Sequence, residues 1–148
     1  MRAIDRIRRS GVGIAPDRTI RQAAQVMEQS GIGTLAVIDS GRLLGVVTDR
    51  DLVRRAVARD LPLDARVDSV MTTPAVTIDA TADLHDAFDV FRSHALRRLA
   101  VVDGAGNFVG MISLDDLLID LASDLAALVR PLSAEIDTAH HDSPVPAI

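Results

Sequence analysis

The chain of 148 residues contains no cysteine, tryptophan, tyrosine or lysine, so its 16 basic residues are all arginine. The absence of cysteine excludes disulfide bonds, thiol catalysis and thiolate metal sites. The absence of lysine excludes the lysine of a P-loop, and three phenylalanines offer few rings on which nucleic-acid bases stack. A net charge of −5 also opposes non-specific binding to nucleic acid, which requires a basic surface. We therefore expect neither a nucleic-acid partner nor a metal site.

Long apolar runs are absent as well. No run reaches the roughly 18 residues that a membrane-spanning helix needs, and residues 1–10 are charged where a signal peptide would be apolar. We expect no membrane segment and a cytoplasmic location. The chain is nevertheless rich in apolar residues, since 48% are hydrophobic and 25% are charged. This balance is typical of one compact globular domain or of two small domains packed together.

The most informative stretch of the sequence, residues 43–52, recurs as residues 108–117. In both copies an apolar strand containing a glycine ends at a hydroxyl residue, and an aspartate follows three positions later as a helix begins. The offset between the copies stays constant up to the predicted hairpin, where Ala105 adds one residue. Because turns tolerate insertions, this single shift is compatible with a structural repeat. The chain is therefore two copies of one unit.

The strand-to-helix corners at Thr48–Asp51 and Ser113–Asp116 allow two interpretations. One is structural, because a hydroxyl residue followed three positions later by an acidic residue resembles a capping box and suits the helix dipole. The other is functional, because a helix N-terminus and a hydroxyl can bind phosphate while a carboxylate accepts the hydroxyls of a ribose. The two interpretations are compatible with each other.

The hydrophobic pattern predicts the order strand, helix, strand, strand, helix in each copy, which is an α/β (α+β) fold. We expect Asp17 and Thr81 to cap the first helix of each copy, and Pro131 to end the last helix. The predicted organisation is a first domain at residues 1–60, a linker at 61–69, a second domain with an extended helix at 70–130, and a flexible tail at 131–148.

The repeated unit, which ends in glycine, two apolar residues, Thr or Ser, and an Asp three positions on, resembles a CBS domain, named after cystathionine β-synthase. Residues 70–74, Val-Met-Thr-Thr-Pro, and the Thr48–Asp51 corner are typical of that family. The resemblance covers about residues 12–124. It implies a Bateman module, in which two copies pack sheet to sheet around a pseudo-twofold axis and leave two clefts that bind adenosine nucleotides.

The resemblance also implies roles for residues in these clefts. The hydroxyl residues would contact phosphate, the aspartates would bind ribose, and apolar strand residues would sandwich the base. Residues just before the middle strands would reach phosphate across the pair. The implied nucleotide-binding residues are Ile14, Gly33, Thr34, Val47, Thr48, Asp51, Ile78, Arg97, Arg98, Ile112, Ser113 and Asp116.

The two implied clefts differ in charge. The cleft that uses Thr48 and Asp51 faces Arg97, whereas the cleft that uses Ser113 and Asp116 faces Gly33 and Thr34 instead of arginine. We expect a phosphorylated ligand mainly in the first cleft. The structural alternative is that Arg97 and Arg98 form a solvated strand end, because exposed arginine pairs are common.

The favoured function is a regulatory module that binds AMP, ADP, ATP or a related adenosyl compound and modulates an unknown partner. It needs no cofactor and no catalysis, and His85 and His94 stand alone rather than in a catalytic pattern. The alternative is a structural dimerisation module with empty clefts. The sequence does not identify the nucleotide or the regulated partner.

The last predicted helix carries a long apolar stripe. Its members are Leu117, Leu118, Leu121, Leu125 and Leu128. The stripe continues beyond the point at which the matching helix of the first copy becomes rich in arginine. Because an exposed apolar stripe of this length usually has a partner, we expect a homodimer.

Overall fold

The computed structural model describes Asp5 and residues 11–141 of the chain. It divides into two compact units, Met1–Leu114 and Asp115–Ile148. The first unit contains all the described strands, and the described part of the second unit is a helix. The start of the predicted first domain, residues 1–4 and 6–10, and the end of the predicted tail, residues 142–148, lie outside the described residues.

Two three-stranded sheets of the same topology form the first unit. In each sheet the first strand is parallel to the second, and the second is antiparallel to the third. The strands are β1 (Gly13–Ile14), β2 (Thr34–Asp39), β3 (Arg42–Thr48), β4 (Thr77–Asp79), β5 (Arg98–Val102) and β6 (Phe108–Ser113). The helices are α1 (Ile20–Ser30), α2 (Asp49–Asp51), α3 (Leu84–His94) and α4 (Leu114–His141). A π-helix (Leu52–Ala56) and a 3₁₀ turn (Val57–Arg59) extend α2. This order confirms the predicted mixed fold and its repeat.

The helices that cross between parallel strands begin at capping boxes. Thr19 caps α1, with its hydroxyl accepting the Gln22 N–H at 3.0 Å while the Gln22 side chain accepts the Thr19 N–H at 2.9 Å. Asp83 and Asp86 form the same arrangement at α3. The predicted caps at Asp17 and Thr81 are therefore wrong by two residues. A capping box also needs a polar side chain three positions later, and Thr19 and Asp83 have one whereas Asp17 and Thr81 do not.

The predicted linker at residues 61–69 is hydrogen-bonded to the first repeat. The N–H of Ile20 donates to the Ala65 carbonyl at 2.9 Å, and that of Val67 donates to the Arg18 carbonyl at 2.7 Å. Val67 and Val70 are fully buried in the same core as Leu35 and other residues of the first sheet. The linker thus covers one end of the first core.

The two repeats are joined directly at the turns of their hairpins. The Phe108 N–H donates to the Gly41 carbonyl at 2.9 Å, and the Leu43 N–H donates to the Gly106 carbonyl at 3.2 Å. These reciprocal bonds use equivalent positions of the two hairpins. Such reciprocity is expected of two similar units related by a twofold rotation.

Helix α4 does not end where the sequence predicted. It continues through Pro131 to His141, so residues 131–141 are helical rather than part of a flexible tail. Proline lacks the N–H that would donate to the carbonyl of Ala127, and the helix therefore forgoes one hydrogen bond at this point. Among the residues described, no helix combines the length and apolarity needed to cross a membrane.

Candidate functional site

The corner between β3 and α2 is a capping box built by Thr48 and Asp51. The Asp51 N–H donates to the Thr48 hydroxyl at 3.0 Å, and the Thr48 N–H donates to Asp51 Oδ2 at 3.0 Å. The structural interpretation of this corner is therefore correct. It leaves the hydroxyl proton of Thr48 and the remaining lone pairs of the Asp51 carboxylate available to a ligand.

The other N–H groups at the start of α2 are also used within the protein. The Asp49 N–H donates to the Gly33 carbonyl at 2.9 Å, and the Arg50 N–H donates to Asp49 Oδ1 at 2.8 Å. A Cβ atom on Gly33 would lie 2.7 Å from Asp49 Oδ2, so the absence of a side chain there permits this close approach. A phosphate at this corner would therefore depend on side chains more than on the backbone N–H groups that the sequence suggested.

A segment that precedes the second repeat pairs with β3. Val46 and Thr72 exchange two backbone hydrogen bonds, at 3.1 Å from the Val46 N–H and at 2.8 Å from the Thr72 N–H. The Thr73 hydroxyl donates to the Leu44 carbonyl at 2.8 Å. Gly45 makes this contact possible, because a Cβ atom at that position would lie 2.5 Å from the Thr72 carbonyl oxygen.

Arg55 ties this segment to the corner. Its Nη1 atom donates to the carbonyls of Val70 and Met71 at 3.1 and 3.0 Å and to the Thr72 hydroxyl at 3.3 Å. Its Nε atom lies 3.9 Å from Asp51 Oδ1. One guanidinium group thus contacts both the segment and the carboxylate of the capping box.

These elements enclose one side of a cavity of about 410 Å³, and the second repeat supplies the other side. All the residues that line it belong to the first unit. They are Thr34, Val46, Thr48, Asp49, Arg50, Asp51, Thr72, Val76, Ala95, Leu96, Arg97, Arg98, Ala100 and Met111.

The cavity has a charged part and an apolar part. Arg50, Arg97 and Arg98 outnumber Asp49 and Asp51, so the lining carries a net positive charge. The carbonyl of Arg97 accepts the N–H of Leu114 at 2.9 Å, which fixes the backbone at this point. An apolar wall next to a few charged and hydroxyl groups is the usual composition of a small-molecule site.

Five of the residues predicted from the sequence line this one cavity. They are Thr34, Thr48, Asp51, Arg97 and Arg98. Gly33 lies beside it against Asp49. The sequence had assigned Thr34 to the other cleft, but Thr34 is the partner of Thr48 in the ladder between β2 and β3 and lies on this side.

The four apolar residues predicted to sandwich a base lie in the interior instead. Val47 and Ile112 are 0% and 1% exposed, and Ile14 and Ile78 are 8% and 6% exposed. None of these four is among the residues that line the cavity. Their contact with a base remains a prediction.

The apolar wall comes from neighbouring strand positions, Val46, Ala100 and Met111. Successive residues of a strand point to opposite faces, so a cavity that contains Thr48 also contains the side chain two residues earlier. The spacing from Thr48 would have indicated Val46 in place of Val47. Likewise, Ala100 lies two residues after Arg98 on β5 and so points to the same face. Met111 is the ladder partner of Ala100 on β6 and lines the cavity beside it.

The second predicted corner is split between the two units. Ser113 ends β6, where it is the ladder partner of Arg98. Asp116 belongs to the second unit and follows the start of α4. The roles of these two residues at a second cleft remain predictions.

Three of the carboxylates with lowered pKa values lie at turns and caps. The backbone N–H of Asn107 stabilises the Asp103 carboxylate and lowers its pKa, and the Thr81 hydroxyl does so for Asp79. The backbone N–H of Asp86 lowers the pKa of Asp83 at the start of α3. None of these three lines the cavity, so the shifts reflect folding rather than ligand chemistry. In the described part of the chain, no group of three or more His, Cys, Asp or Glu residues could hold a metal ion.

Comparison with known proteins identifies the repeat. The family model described as the CBS domain matches the chain twice, at residues 3–58 and 67–123. The CBS domain-containing protein YhcV of Bacillus subtilis (strain 168) is 35% identical over 114 residues, which are 77% of this chain and 81% of YhcV. The inosine-5'-monophosphate dehydrogenase of Nitrosopumilus maritimus (strain SCM1) is 31% identical over 105 residues, but the match covers only 21% of that enzyme.

Solved structures show the same architecture. The CBS domain protein PAE2072 from Pyrobaculum aerophilum, complexed with AMP, has a TM-score of 0.73 and 30% identity, covering 83% of this chain and 99% of that chain. Hypoxic Response Protein I, with two coordinated zinc ions, has a TM-score of 0.73 and 28% identity, covering 80% of this chain and 97% of that chain. Since the family model matches both repeats and the fold agrees, the chain belongs to the CBS domain family and carries two CBS domains in tandem.

Proposed function

We propose that the chain is a regulatory module that binds an adenosine nucleotide in the cavity and thereby modulates a partner protein. The observation that carries the proposal is one cavity of about 410 Å³ in which Arg97 and Arg98 of the second repeat meet Thr48 and Asp51 of the first. This volume falls within the range of about 300–1,000 Å³ that small-molecule sites occupy. AMP, ADP, ATP and related adenosyl compounds are the candidate ligands.

The phosphate is assigned to the arginines. A guanidinium group presents several N–H donors in a plane and can bind two phosphate oxygens at once. The Thr48 hydroxyl accepts the Asp51 N–H and can still donate its own proton. Because the backbone N–H groups of Asp49, Arg50 and Asp51 already have acceptors, these side chains supply the donors.

The ribose is assigned to Asp51 and the base to the apolar wall. Asp51 Oδ2 accepts one backbone N–H, and a carboxylate has about four lone-pair sites, which leaves room for the two hydroxyls of a ribose. Val46, Ala100 and Met111 form an apolar surface suited to one face of adenine. The thioether of Met111 adds a polarisable contact.

The comparisons support this ligand class and a role without catalysis. PAE2072, a relative of 30% identity, is complexed with AMP. The side chains that line the cavity in the described residues include arginines, carboxylates and hydroxyls but no histidine. We propose that the ligand is not turned over, that no cofactor is needed, and that the protein acts in the cytoplasm.

A thermal unfolding series with AMP, ADP, ATP and adenosine tests the proposal. A ligand that binds only the folded state raises the melting temperature, and the shift grows with the logarithm of the ratio of ligand concentration to Kd. Asp51→Ala should weaken nucleotide binding by about 1.5 to 3 kcal/mol, the range for a hydrogen bond to a charged group, as measured by calorimetric titration. Asp64→Ala is the control, because Asp64 is exposed and its carboxylate pairs with Arg21. We expect Asp116→Ala to weaken binding less than Asp51→Ala does.

A second comparison isolates the phosphate contact. Arg97→Ala and Arg98→Ala should lower the affinity for AMP but leave the affinity for adenosine nearly unchanged, because only AMP carries the phosphate. If the affinities for AMP and adenosine fall equally, the arginines do not contact the phosphate. If none of the nucleotides raises the melting temperature, the proposal fails and the alternative, a structural dimerisation module with empty clefts, is favoured.

A further inference from the structure

Arg50 lines the cavity and has no role in the contacts assigned to phosphate, ribose and base. It lies in the first turn of α2, on the side of the cavity that the first repeat supplies, whereas Arg97 and Arg98 belong to the second repeat. The Arg50 side chain is exposed and has no hydrogen-bond or ion-pair partner among the residues described. A guanidinium group carries five N–H donors, so those of Arg50 are available to a ligand.

The two carboxylates of the lining have other contacts. Asp49 Oδ1 accepts the backbone N–H of Arg50 at 2.8 Å rather than one of its guanidinium donors. Asp51 Oδ2 accepts the Thr48 N–H at 3.0 Å, and Asp51 Oδ1 lies 3.9 Å from Nε of Arg55. Both carboxylates are thus engaged by the backbone or by another arginine, and the charge of Arg50 remains available to an anion.

Folding of the corner gives no reason for an arginine at this position. Thr48 and Asp51 form the capping box without it. A positive side chain in the first turn of a helix also opposes the helix dipole. In the second repeat the corresponding residue is Asp115, which has the sign that the dipole favours. The positive charge of Arg50 is therefore better explained by an anionic ligand than by the fold.

We propose that Arg50 binds a second phosphate group, so that the cavity prefers adenosine ligands with two or more phosphates, such as ADP and ATP, over AMP. This inference rests on the proposed function and extends it to the phosphate chain of the ligand. Arg97, Arg98 and the Thr48 hydroxyl already supply donors to the terminal oxygens of a single phosphate. Arg50 provides a further cation on the other side of the same cavity.

A second phosphate explains the position of Arg50 better than a third arginine on the first phosphate does. Three guanidinium groups around one phosphate would bring like charges together without adding an acceptor. A further phosphate adds both negative charge and acceptor oxygens. Because Arg50 is exposed and lies on the side opposite Arg97 and Arg98, it is suited to the solvent-facing end of a phosphate chain.

Calorimetric titration of AMP and ADP, without divalent metal ions, tests this preference. We expect the wild type to bind ADP about tenfold more tightly than AMP. This factor is the lower end of the range for a hydrogen bond to a charged group, because water screens an exposed contact. In Arg50→Gln the affinity for ADP should fall about tenfold and that for AMP less than about twofold, so that the two ligands bind about equally.

Arg54→Gln is the matched control. Arg54 is exposed, lies one helical turn after Arg50 and, within the described part of the chain, has no hydrogen-bond or ion-pair partner, but it does not line the cavity. Its substitution removes the same charge from the same segment and therefore measures the long-range electrostatic effect alone. It should change the affinity for either nucleotide less than about twofold. Without ligand both variants should unfold at nearly the wild-type temperature, because neither side chain is buried.

Three results would overturn the inference and leave the proposed function intact. They are a wild type that binds AMP at least as tightly as ADP, a preference for ADP that persists in Arg50→Gln, and an equal loss of ADP affinity in Arg50→Gln and Arg54→Gln. If the wild type binds neither nucleotide, the proposed function fails and the inference fails with it.

Discussion

Gly45→Ala tests whether the contact between β3 and the segment at Thr72 holds the site together. The new Cβ atom would lie 2.5 Å from the Thr72 carbonyl oxygen and 3.0 Å from Met71 Sδ. Backbone cannot rotate away as a side chain can, so the two segments must separate by roughly 1 Å to reach ordinary van der Waals distance. That movement breaks the two hydrogen bonds between Val46 and Thr72.

The expected cost follows from these two bonds. At a net value of about 0.5–1.5 kcal/mol each, their loss lowers the free energy of unfolding by about 1–3 kcal/mol. Replacing glycine by alanine lowers the conformational entropy of the unfolded chain, which offsets about 0.4–1 kcal/mol of this loss. The net loss should be about 1.5 kcal/mol, which lowers the melting temperature by roughly 3–6 °C for a domain of this size.

Gly104→Ala is the matched control for this substitution. A Cβ atom on Gly104 would have no heavy atom within 4 Å, and its φ lies outside the left-handed region. We expect it to be neutral or slightly stabilising. Urea and thermal unfolding of both variants give the comparison. If Gly45→Ala is as stable as Gly104→Ala, the two hydrogen bonds between Val46 and Thr72 do not hold the segment against β3.

Substitutions at four further positions address the caps and turns. Thr48→Ala should lower the free energy of unfolding by about 0.5–2 kcal/mol through loss of the cap, and Thr48→Ser should restore most of it in urea titrations. Ala95→Gly should raise the melting temperature, because Ala95 has a φ of 47°, whereas Gly31→Ala, at a φ of 66° in open space, should lower it. Asp103→Ala should destabilise at neutral pH, because Asn107 lowers the pKa of the Asp103 carboxyl. This contribution is present above the unfolded-state pKa and disappears as pH falls through the lowered pKa, so the two unfolding curves should converge in acid.

The fold could be predicted because the sequence contains two copies of the same structural unit. The recurrence of residues 43–52 at residues 108–117 indicated the last strand of each hairpin and the helix that follows it, and the insertion at Ala105 falls in a turn. The helix caps were missed although the signal was present. Thr19 is followed three positions later by Gln22, which is the pattern of a capping box, whereas Asp17 has Ile20 at that position.

The apolar wall of the cavity was harder to predict. In the sequence, residues 43–47 form a run without polar residues, so the strand lacks the alternation of apolar and polar residues that would separate a core face from a cavity face. The predicted residue Val47 points to the opposite face of the strand from Thr48, whereas Val46 and Thr48 both line the cavity. The extension of α4 through Pro131 was missed for a different reason, since proline usually ends a helix and local sequence gives no measure of how well the flanking turns compensate.

The guanidinium group of Arg55 has a thermodynamic consequence for regulation. It donates hydrogen bonds to the residue 70–72 segment and lies 3.9 Å from the Asp51 carboxylate. If a ligand on Asp51 alters how tightly Arg55 holds that segment, then a force on the segment must alter ligand affinity by the same factor, since binding free energies are reciprocal. Tension or a bound protein at residues 70–72 would then change the affinity of the cavity for its ligand. Measuring the effect of the ligand on the segment, or of the segment on ligand affinity, would give the same coupling free energy.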